Sequence, residues 1–354
     1  MNILVLEPYY GGSHKSFLDQ LSLNLPYNFH FLTLPARKWK WRMRLAAPYF
    51  AEQLVKMNKF DLVLCSTFVD VAALRGCGPD WLSHVPVLTY FHENQFAYPV
   101  QINDERDFHF ALTNYTTALA SDRLAFNSSY NYETFLAGCH DILELAADMP
   151  MADLDKIKHK SVILYPGLDF STIDHSPVLP ENKTPLIVWN HRWEHDKNPK
   201  LFFEKLFELE KEGVEFEVAI LGQSFQRRPK IFAQAREKLR SRIRHWGFVE
   251  SRQEYIYWLR QGNVVVSTAT HEFYGIAVIE AVRAGCTPLL PDNLSYPELF
   301  PAEFLYQKDQ FAERLKQLLI SGRFLSRRQC RELTEPFSWK NLQDSYSAWF
   351  CRGQ

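Results

Sequence analysis

The sequence predicts an α/β protein of two domains, each built on a parallel sheet between helices. Short apolar runs alternate with longer helix-like stretches along the whole chain, the pattern left by strands that are buried on both faces. A length of 354 residues suits two domains at about 150 residues each. Between the two series lies PGLDFSTIDHSPVLPENKTP, Pro166 to Pro185, which is proline-rich, polar and without strong periodicity. The boundary is expected there, near residue 175. Domains over 1–174 and 175–336 follow, with a terminal helix over 337–354 packing back on the first.

In the first half the expected strands are Asn2–Leu6, Asp61–Cys65, Val85–Phe91, Asp122–Phe126 and Ser161–Tyr165. In the second half they are Pro185–Trp189, Glu215–Leu221, Val264–Ser267 and Thr287–Leu290. One helix is well punctuated. Asn198 can cap it, Pro199 suits its first position, Phe202, Phe203, Leu206 and Leu209 form an apolar face, and Gly213 ends it. After Pro336, Phe337–Phe350 reads as an aromatic-rich helix.

Bulk properties narrow the function classes. A hydrophobic content of 46% with 15% aromatics supplies large cores and excludes general disorder. A net charge of −1 gives no global attraction to nucleic acid or membrane, so any such partner must use a local patch. The six cysteines form no CxxC pair, and buried reduced thiols are expected rather than a metal or disulfide framework. The start MNILVLEPYYGG lacks a basic leader and reads as a first strand. No run approaches the roughly 18 apolar residues of a membrane span. A cytoplasmic protein without a membrane partner is expected.

The most informative stretch is THEFYGIAVIEAVRAG, Thr270 to Gly285, after the run Val264–Ser267. It reads as strand, loop and helix. Free N–H groups at a helix start near Gly275 attract phosphate or anionic oxygen, and the carboxylates of Glu272 and Glu280 suit sugar hydroxyls. A nucleotide-sugar has hydroxyls at both ends and a diphosphate between. The loop WNHRWEHDKNP, Trp189 to Pro199, adds Arg192 and Lys197 at the carboxyl edge of the sheet, where α/β proteins bind ligands. A guanidinium fork and an ammonium both suit diphosphate oxygens. His191 and His195 lack a convincing third ligand, and Asp153-Leu154-Asp155 follows no strand, so no metal site is expected.

In the first half, Gly11 and Gly12 after the first strand allow close backbone approach to a phosphate or hydroxyl. TYFHENQ places His92, Glu93, Asn94 and Gln95 together at a strand's carboxyl end. PARKWKWRMR interleaves Arg37, Lys38, Lys40, Arg42 and Arg44 with Trp39 and Trp41. Cations there can meet phosphates while indoles stack on unpaired bases, and a surface helix with snorkelling stems explains the same pattern.

These elements resemble the retaining GT-B glycosyltransferases of the family-four type. The resemblance implies two Rossmann-like β/α/β domains facing across a cleft. In it Arg192 and Lys197 correspond to a diphosphate clamp, Glu272 with the Gly275 and Ile276 amides to the donor hexose site, and Glu280 to the ribose contact. LGQ and WGFV look like further strand ends of that family, with Gly222 at the donor and Phe248 and Val249 near the base; His92 resembles the histidine facing the transferred sugar. Across nearly the whole chain, MNILVLEPYYGGSHKSFLDQL, LPARKWKWRMR, YFHENQFAYPV, ERDFHF, HRWEHDKNP, STATHEFYGIAVIEAV and YPELFPAEFLY resemble the tRNA-queuosine α-mannosyltransferase family. Animal members transfer mannose from GDP-mannose to the cyclopentene diol of queuosine in a tRNA anticodon. The linker here is short where the animal enzymes are expected to carry an insertion.

The resulting expectation is a metal-independent, retaining hexosyltransferase using GDP-mannose, with no other cofactor. Arg192, Lys197, Glu272 and His92 are its expected catalytic residues. Gly275, Ile276, Glu280, Phe248, Val249, Gly222 and Gly12 would bind donor. Glu93, Asn94, Gln95, Arg37, Lys38, Trp39, Trp41 and Arg42 would bind a tRNA carrying queuosine or a related base. A transferase acting on a lipid, polysaccharide or small molecule, a non-catalytic RNA-binding protein on the same fold, and a nucleotide-sugar epimerase, disfavoured by the lack of GxGxxG after the first strand, are the rival readings.

Overall fold

The computed structural model of the chain describes residues 1–98, 108–145, 148, 154–177, 179–224 and 229–352. It divides into two compact units, Met1–Leu168 with Trp339–Gln354, and Asp169–Ser338. In the first unit the strands are β1 (Asn2–Tyr10), β2 (Asn28–Pro35), β3 (Leu62–Ser66), β4 (Val87–Phe91), β5 (Arg123–Phe126) and β6 (Ser161–Ile163). They form a six-stranded sheet in the order β2-β1-β3-β4-β5-β6, with every pairing parallel. Successive side chains point to opposite faces of a strand. Ile3 and Val5 of β1 with Leu62 and Leu64 of β3 therefore feed one core, while Leu4, Leu6, Val63 and Cys65 feed another.

The helix Trp39–Leu54 buries Met43, Ala46, Ala47, Phe50, Ala51 and Leu54, a helical spacing that covers the second of those faces. The first face is covered by Gly12–Asn24 and by the C-terminal helix Trp339–Cys351. Trp339, Tyr346, Trp349 and Phe350 pack there with Phe17 and Leu21. Tyr346 donates to the Tyr165 carbonyl at 2.9 Å, and Arg123 donates to the Phe350 carbonyl at 2.8 Å, satisfying an end-of-helix acceptor.

In the second unit the strands are β7 (Leu186–Asn190), β8 (Glu217–Leu221), β9 (Ile243–Gly247), β10 (Val264–Val266), β11 (Thr287–Pro291) and β12 (Leu305–Tyr306). Their order is β12-β11-β10-β7-β8-β9, again all parallel. The core gathers Trp189, Trp193, Phe202, Phe203, Phe216 and Phe232. The punctuated helix runs Pro199–Lys211, with the Asn198 side chain accepting from the Leu201 N–H, as its cap chemistry requires.

The boundary near residue 175 needs correction. Phe170 and Ile173 are buried, and the Asp174 carboxylate takes a two-pronged bond from Arg283 at 2.6 and 2.9 Å. Arg283 also lies over the Phe170 ring at 4.5 Å. These contacts tie residues 169–174 to the second unit, although proline and polar content make them look like linker. Phe337 and Ser338 belong to that unit as well. The thiols also differ from expectation: Cys65, Cys139, Cys286 and Cys330 are buried, whereas Cys77 and Cys351 are exposed.

Candidate functional site

Both sheets are parallel, so the segments that follow their strands emerge at one edge of each. In the second unit this edge carries Arg192 and Lys197 after β7, Gly222 after β8, Phe248 and Val249 after β9, and Glu272 after β10. Lys197 is 6% exposed. Its ammonium donates to the His271 carbonyl at 2.7 Å and to Glu272 Oε2 at 3.2 Å, and lies 3.1 Å from Asp196 Oδ2. Three oxygens thus match its three donors.

Burial alone would pull the Lys197 pKa down, yet Glu272 and Asp196 more than reverse this and the net direction is up. Burial likewise pushes Glu272 up, and Lys197 then brings it below the usual carboxylate range. Both groups stay charged. His191 beside them is pushed down to about 4, by burial first and by Lys197 second, and is a neutral ring whose Nε2 meets the Val266 carbonyl at 3.2 Å. A diphosphate oxygen can reach Lys197 only by displacing one of its present acceptors. Arg192 differs: its half-exposed side chain pairs with Glu194 at 3.0 Å.

The helix Ile276–Ala284 starts at Gly275, whose φ of 102° lies in the left-handed region, with no side chain among the described residues capping its start. Its first turn is therefore open to an anion. Glu280, one turn further in, accepts from Arg252 at 2.6 Å and from the Tyr255 hydroxyl at 3.2 Å. Asn190 at the end of β7 donates to Tyr255 at 3.1 Å and to the Ala277 carbonyl at 2.7 Å. An ionised carboxylate has about four lone-pair sites, so Glu280 keeps capacity for two hydroxyls. Val249 is buried and Phe248 is 61% exposed. Arg252, Tyr255 and Asn190 escaped the sequence reading, because they lie far from Glu280 in the chain and form no motif with it.

In the first unit the equivalent edge carries the Gly11-Gly12 turn after β1 and His92 after β4. Gly12 opens the helix Gly12–Asn24 with φ of 53°. Here too the sequence reading missed the principal partners. His14 Nδ1 lies 3.0 Å from Glu7 Oε2, and its Nε2 lies 3.4 Å from Glu93 Oε2. The His14 and His92 rings sit with centroids 4.2 Å apart. His92 is pushed well below its ordinary value by burial and then by His14, so it is neutral.

Burial is also the largest influence on His14 and opposes its charge, but Glu7 and Glu93 overcome it and raise the pKa from 6.5 to about 10. The folded protein holds this proton more tightly than the unfolded chain does. The resulting stabilisation is complete below pH 6.5 and is lost as the pH climbs toward about 10. Melting curves over that range should show a smaller fall for His14→Gln than for the wild-type protein.

One expected acceptor contact is corrected. Asn94 is fully buried; its amide N–H groups meet the Asn131 carbonyl, Asn131 Oδ1 and Thr134 Oγ1 at 2.8–3.1 Å, and its oxygen accepts from the Ala97 N–H at 2.9 Å. It staples the loop, and its full burial keeps it from a ligand. Trp39 is half-buried and packs on Phe110 with ring centroids 5.2 Å apart. Arg42 is half-buried and donates to the Pro35 carbonyl at 3.4 Å. Arg37, Lys38 and Trp41 are exposed, and Gln95 is half-buried. Asp153, Pro99, Val100 and Glu105 to Asp107 lie outside the described residues.

Comparison with known proteins follows the same division. Residues 2–168 match the model described as tRNA-queuosine alpha-mannosyltransferase N-terminal, and residues 171–335 match glycosyl transferases group 1. The Drosophila melanogaster tRNA-queuosine alpha-mannosyltransferase is 37% identical over 318 residues, covering 86% of this chain and 83% of that protein. Among solved structures, sucrose-phosphate synthase from Thermosynechococcus elongatus superposes with a TM-score of 0.73 at 14% identity, over 99% of this chain and 98% of that one. The Anabaena HepE protein in complex with UDP gives 0.70 at 13% identity, over 98% of each chain. Those distant likenesses establish the GT-B fold, and the identity to the fly protein places this chain in the tRNA-queuosine α-mannosyltransferase family of glycosyltransferases.

Proposed function

We propose that the protein transfers mannose from GDP-mannose, with retention of anomeric configuration, to queuosine or a related modified nucleoside in a tRNA anticodon. The observation that carries the donor half is the pair of buried Lys197 and partly exposed Glu272, beside the helix start at Gly275. Among the described residues, Glu272 Oε1 has only a long contact, 3.4 Å, from the Tyr274 N–H, leaving it able to accept from hexose hydroxyls. Arg192 and the Gly275–Ile276 amides balance the charge growing on the departing diphosphate, by preorganised electrostatics and without a metal. Glu280, held by Arg252 and Tyr255, accepts from the ribose hydroxyls, with Phe248 and Val249 toward the base and Gly222 and Gly12 permitting close approach. His92, neutral, offers one donor and one acceptor nitrogen to a hydroxyl.

Membership of a family whose fly member is named for tRNA-queuosine supports the acceptor. Arg37, Lys38 and Trp41 supply exposed cations and an indole for an anticodon stem-loop, which implies a cytoplasmic setting. No helix among the described residues is long and apolar enough to cross a membrane.

The test is to incubate the protein with unfractionated tRNA and a panel of labelled nucleotide-sugars, then identify the labelled nucleoside by mass and its anomeric configuration by NMR. Label from GDP-mannose in queuosine-bearing tRNA, as the α-anomer, is expected. Label from a uridine donor would overturn the donor reading, and unlabelled tRNA with every donor would overturn the acceptor.

A further inference from the structure

The donor contacts proposed above do not use Glu7 or His14, and the placement of these two residues is costly. Glu7 interrupts a strand whose neighbours Ile3 to Leu6 are all core, and its carboxylate is 1% exposed. Buried ion pairs stabilise a fold no better than apolar side chains of similar volume, so a pair kept at the ligand edge of the sheet calls for a use there. Its geometry is a chain running outward. Glu7 Oε1 is held by the Tyr9 N–H at 2.7 Å and Oε2 by His14, and the other nitrogen of His14 faces Glu93. Side-chain exposure rises along it, from 1% at Glu7 through 6% at His14 to 15% at Glu93.

The inner side of the chain offers no room. A cavity of about 10 Å³ lies there, lined by Glu7, Ser66, Tyr90 and His92 among others. Ser66 Oγ is buried without a hydrogen-bond partner among the described residues. That space is the size of one water and excludes any part of a nucleoside. A ligand therefore meets Glu93 from the open side, beside the His92 ring.

We propose that Glu93 is the docking carboxylate for a protonated amine next to the acceptor hydroxyl, and that His14, clamped between Glu7 and Glu93, is the residue that positions it. This rests on the queuosine reading above. The charged groups acting on His14 are Glu7 on β1 and Glu93 after β4, and with one imidazolium between two carboxylates the cluster carries a surplus negative charge. The adjoining His92 is neutral. A carboxylate with surplus charge selects a cation that also donates hydrogen bonds. Queuosine joins its cyclopentene diol to the base through a secondary amine, which places such a cation beside the hydroxyls.

The experiment compares steady-state mannosyl transfer to queuosine-bearing tRNA by the wild-type protein, Glu93→Gln, His14→Gln and the double variant. Thermal melting and GDP-mannose binding report on folding. Glu93→Gln, nearly isosteric at a partly exposed position, is expected to raise the tRNA KM about tenfold or more, with kcat and donor KM changing less than about threefold. His14→Gln should raise the same KM, and the double variant should be no worse than Glu93→Gln alone, because one residue acts through the other. An unchanged tRNA KM in Glu93→Gln, or additive effects in the double variant, would overturn the proposal while leaving the transferase reading intact. A wild-type protein that labels no tRNA would remove both.

Discussion

Lys197→Met is expected to lower mannosyl transfer by about 10²–10³-fold, the usual consequence of removing one preorganised charge from a transferase site. Methionine keeps the aliphatic volume and deletes the ammonium, so the effect isolates the charge. The same change strands the Glu272 and Asp196 carboxylates, each of which now lies within 3.2 Å of the lysine. Breaking a buried pair costs about 3–5 kcal/mol. Glu272 and Asp196 are 21% and 12% exposed, so water screens them in part and the lower figure applies. At about 3 kcal/mol the melting temperature of a unit this size should drop by roughly 6–12 °C. Adding Glu272→Gln should recover part of that loss, because no unpaired carboxylate remains at that position, and should recover no activity. Transfer at wild-type rates by a folded Lys197→Met would sink the donor-site assignment. Equal melting temperatures would instead show that the ion pair carries no stability.

Gly222→Ala is the second large effect. The glycine has φ of 114°, and a Cβ built on it would stand 1.9 Å from the His191 carbonyl oxygen and 2.7 Å from its carbon. Both are backbone atoms, so the methyl cannot be accommodated by turning a side chain. The loop after β7 is stitched to the end of β8 at this point, with the Trp193 N–H donating to the Gln223 carbonyl at 2.9 Å and its indole N–H to the Leu221 carbonyl at 3.3 Å. Alanine would drive that loop, with Arg192 and Lys197 on it, away from β8. A loss of about 3 kcal/mol or more in urea unfolding is expected, together with weaker donor binding by calorimetry. Gly213→Ala is the control: its φ of 71° is also left-handed, but nothing lies within 4 Å of a Cβ there. It should cost only about 1–2 kcal/mol. If the two alanines prove equally tolerated, the close approach of His191 is not what requires Gly222.

The strands recognised in the sequence include every central strand of both sheets. A central strand in a parallel sheet is covered on both faces and reads as a near-continuous apolar run, as Leu62–Ser66 and Leu186–Asn190 do up to their last residue, each buried throughout. The strands that escaped, β2, β9 and β12, are all at sheet edges. β2 has only exposed and half-buried positions, with polar Asn28, His30 and Thr33 among its phenylalanines and leucines, and so lacks the continuous run.

Residue type at strand ends was legible in the same way. The Gly275 helix start, Glu272, Glu280, Lys197 and His92 announce themselves because each lies within a few residues of the strand or helix that displays it. What a polar side chain is free to do was not legible. Asn94 has the right chemistry for an acceptor, but it is fully buried and its N–H groups are taken by Asn131 and Thr134.

By itself, then, the sequence determined the strand–helix alternation, the candidate residues that the strands carry to the sheet edge and the family. Those features are set by neighbours within a turn or two of chain. Only the tertiary structure decided the ionic partners. Glu93 meets His14 from 79 residues away, Lys197 meets Glu272 across 75, and Asp174 meets Arg283 across 109. Charge state follows from burial and from whichever opposite charge the fold brings within about 4 Å, and no local pattern encodes that meeting.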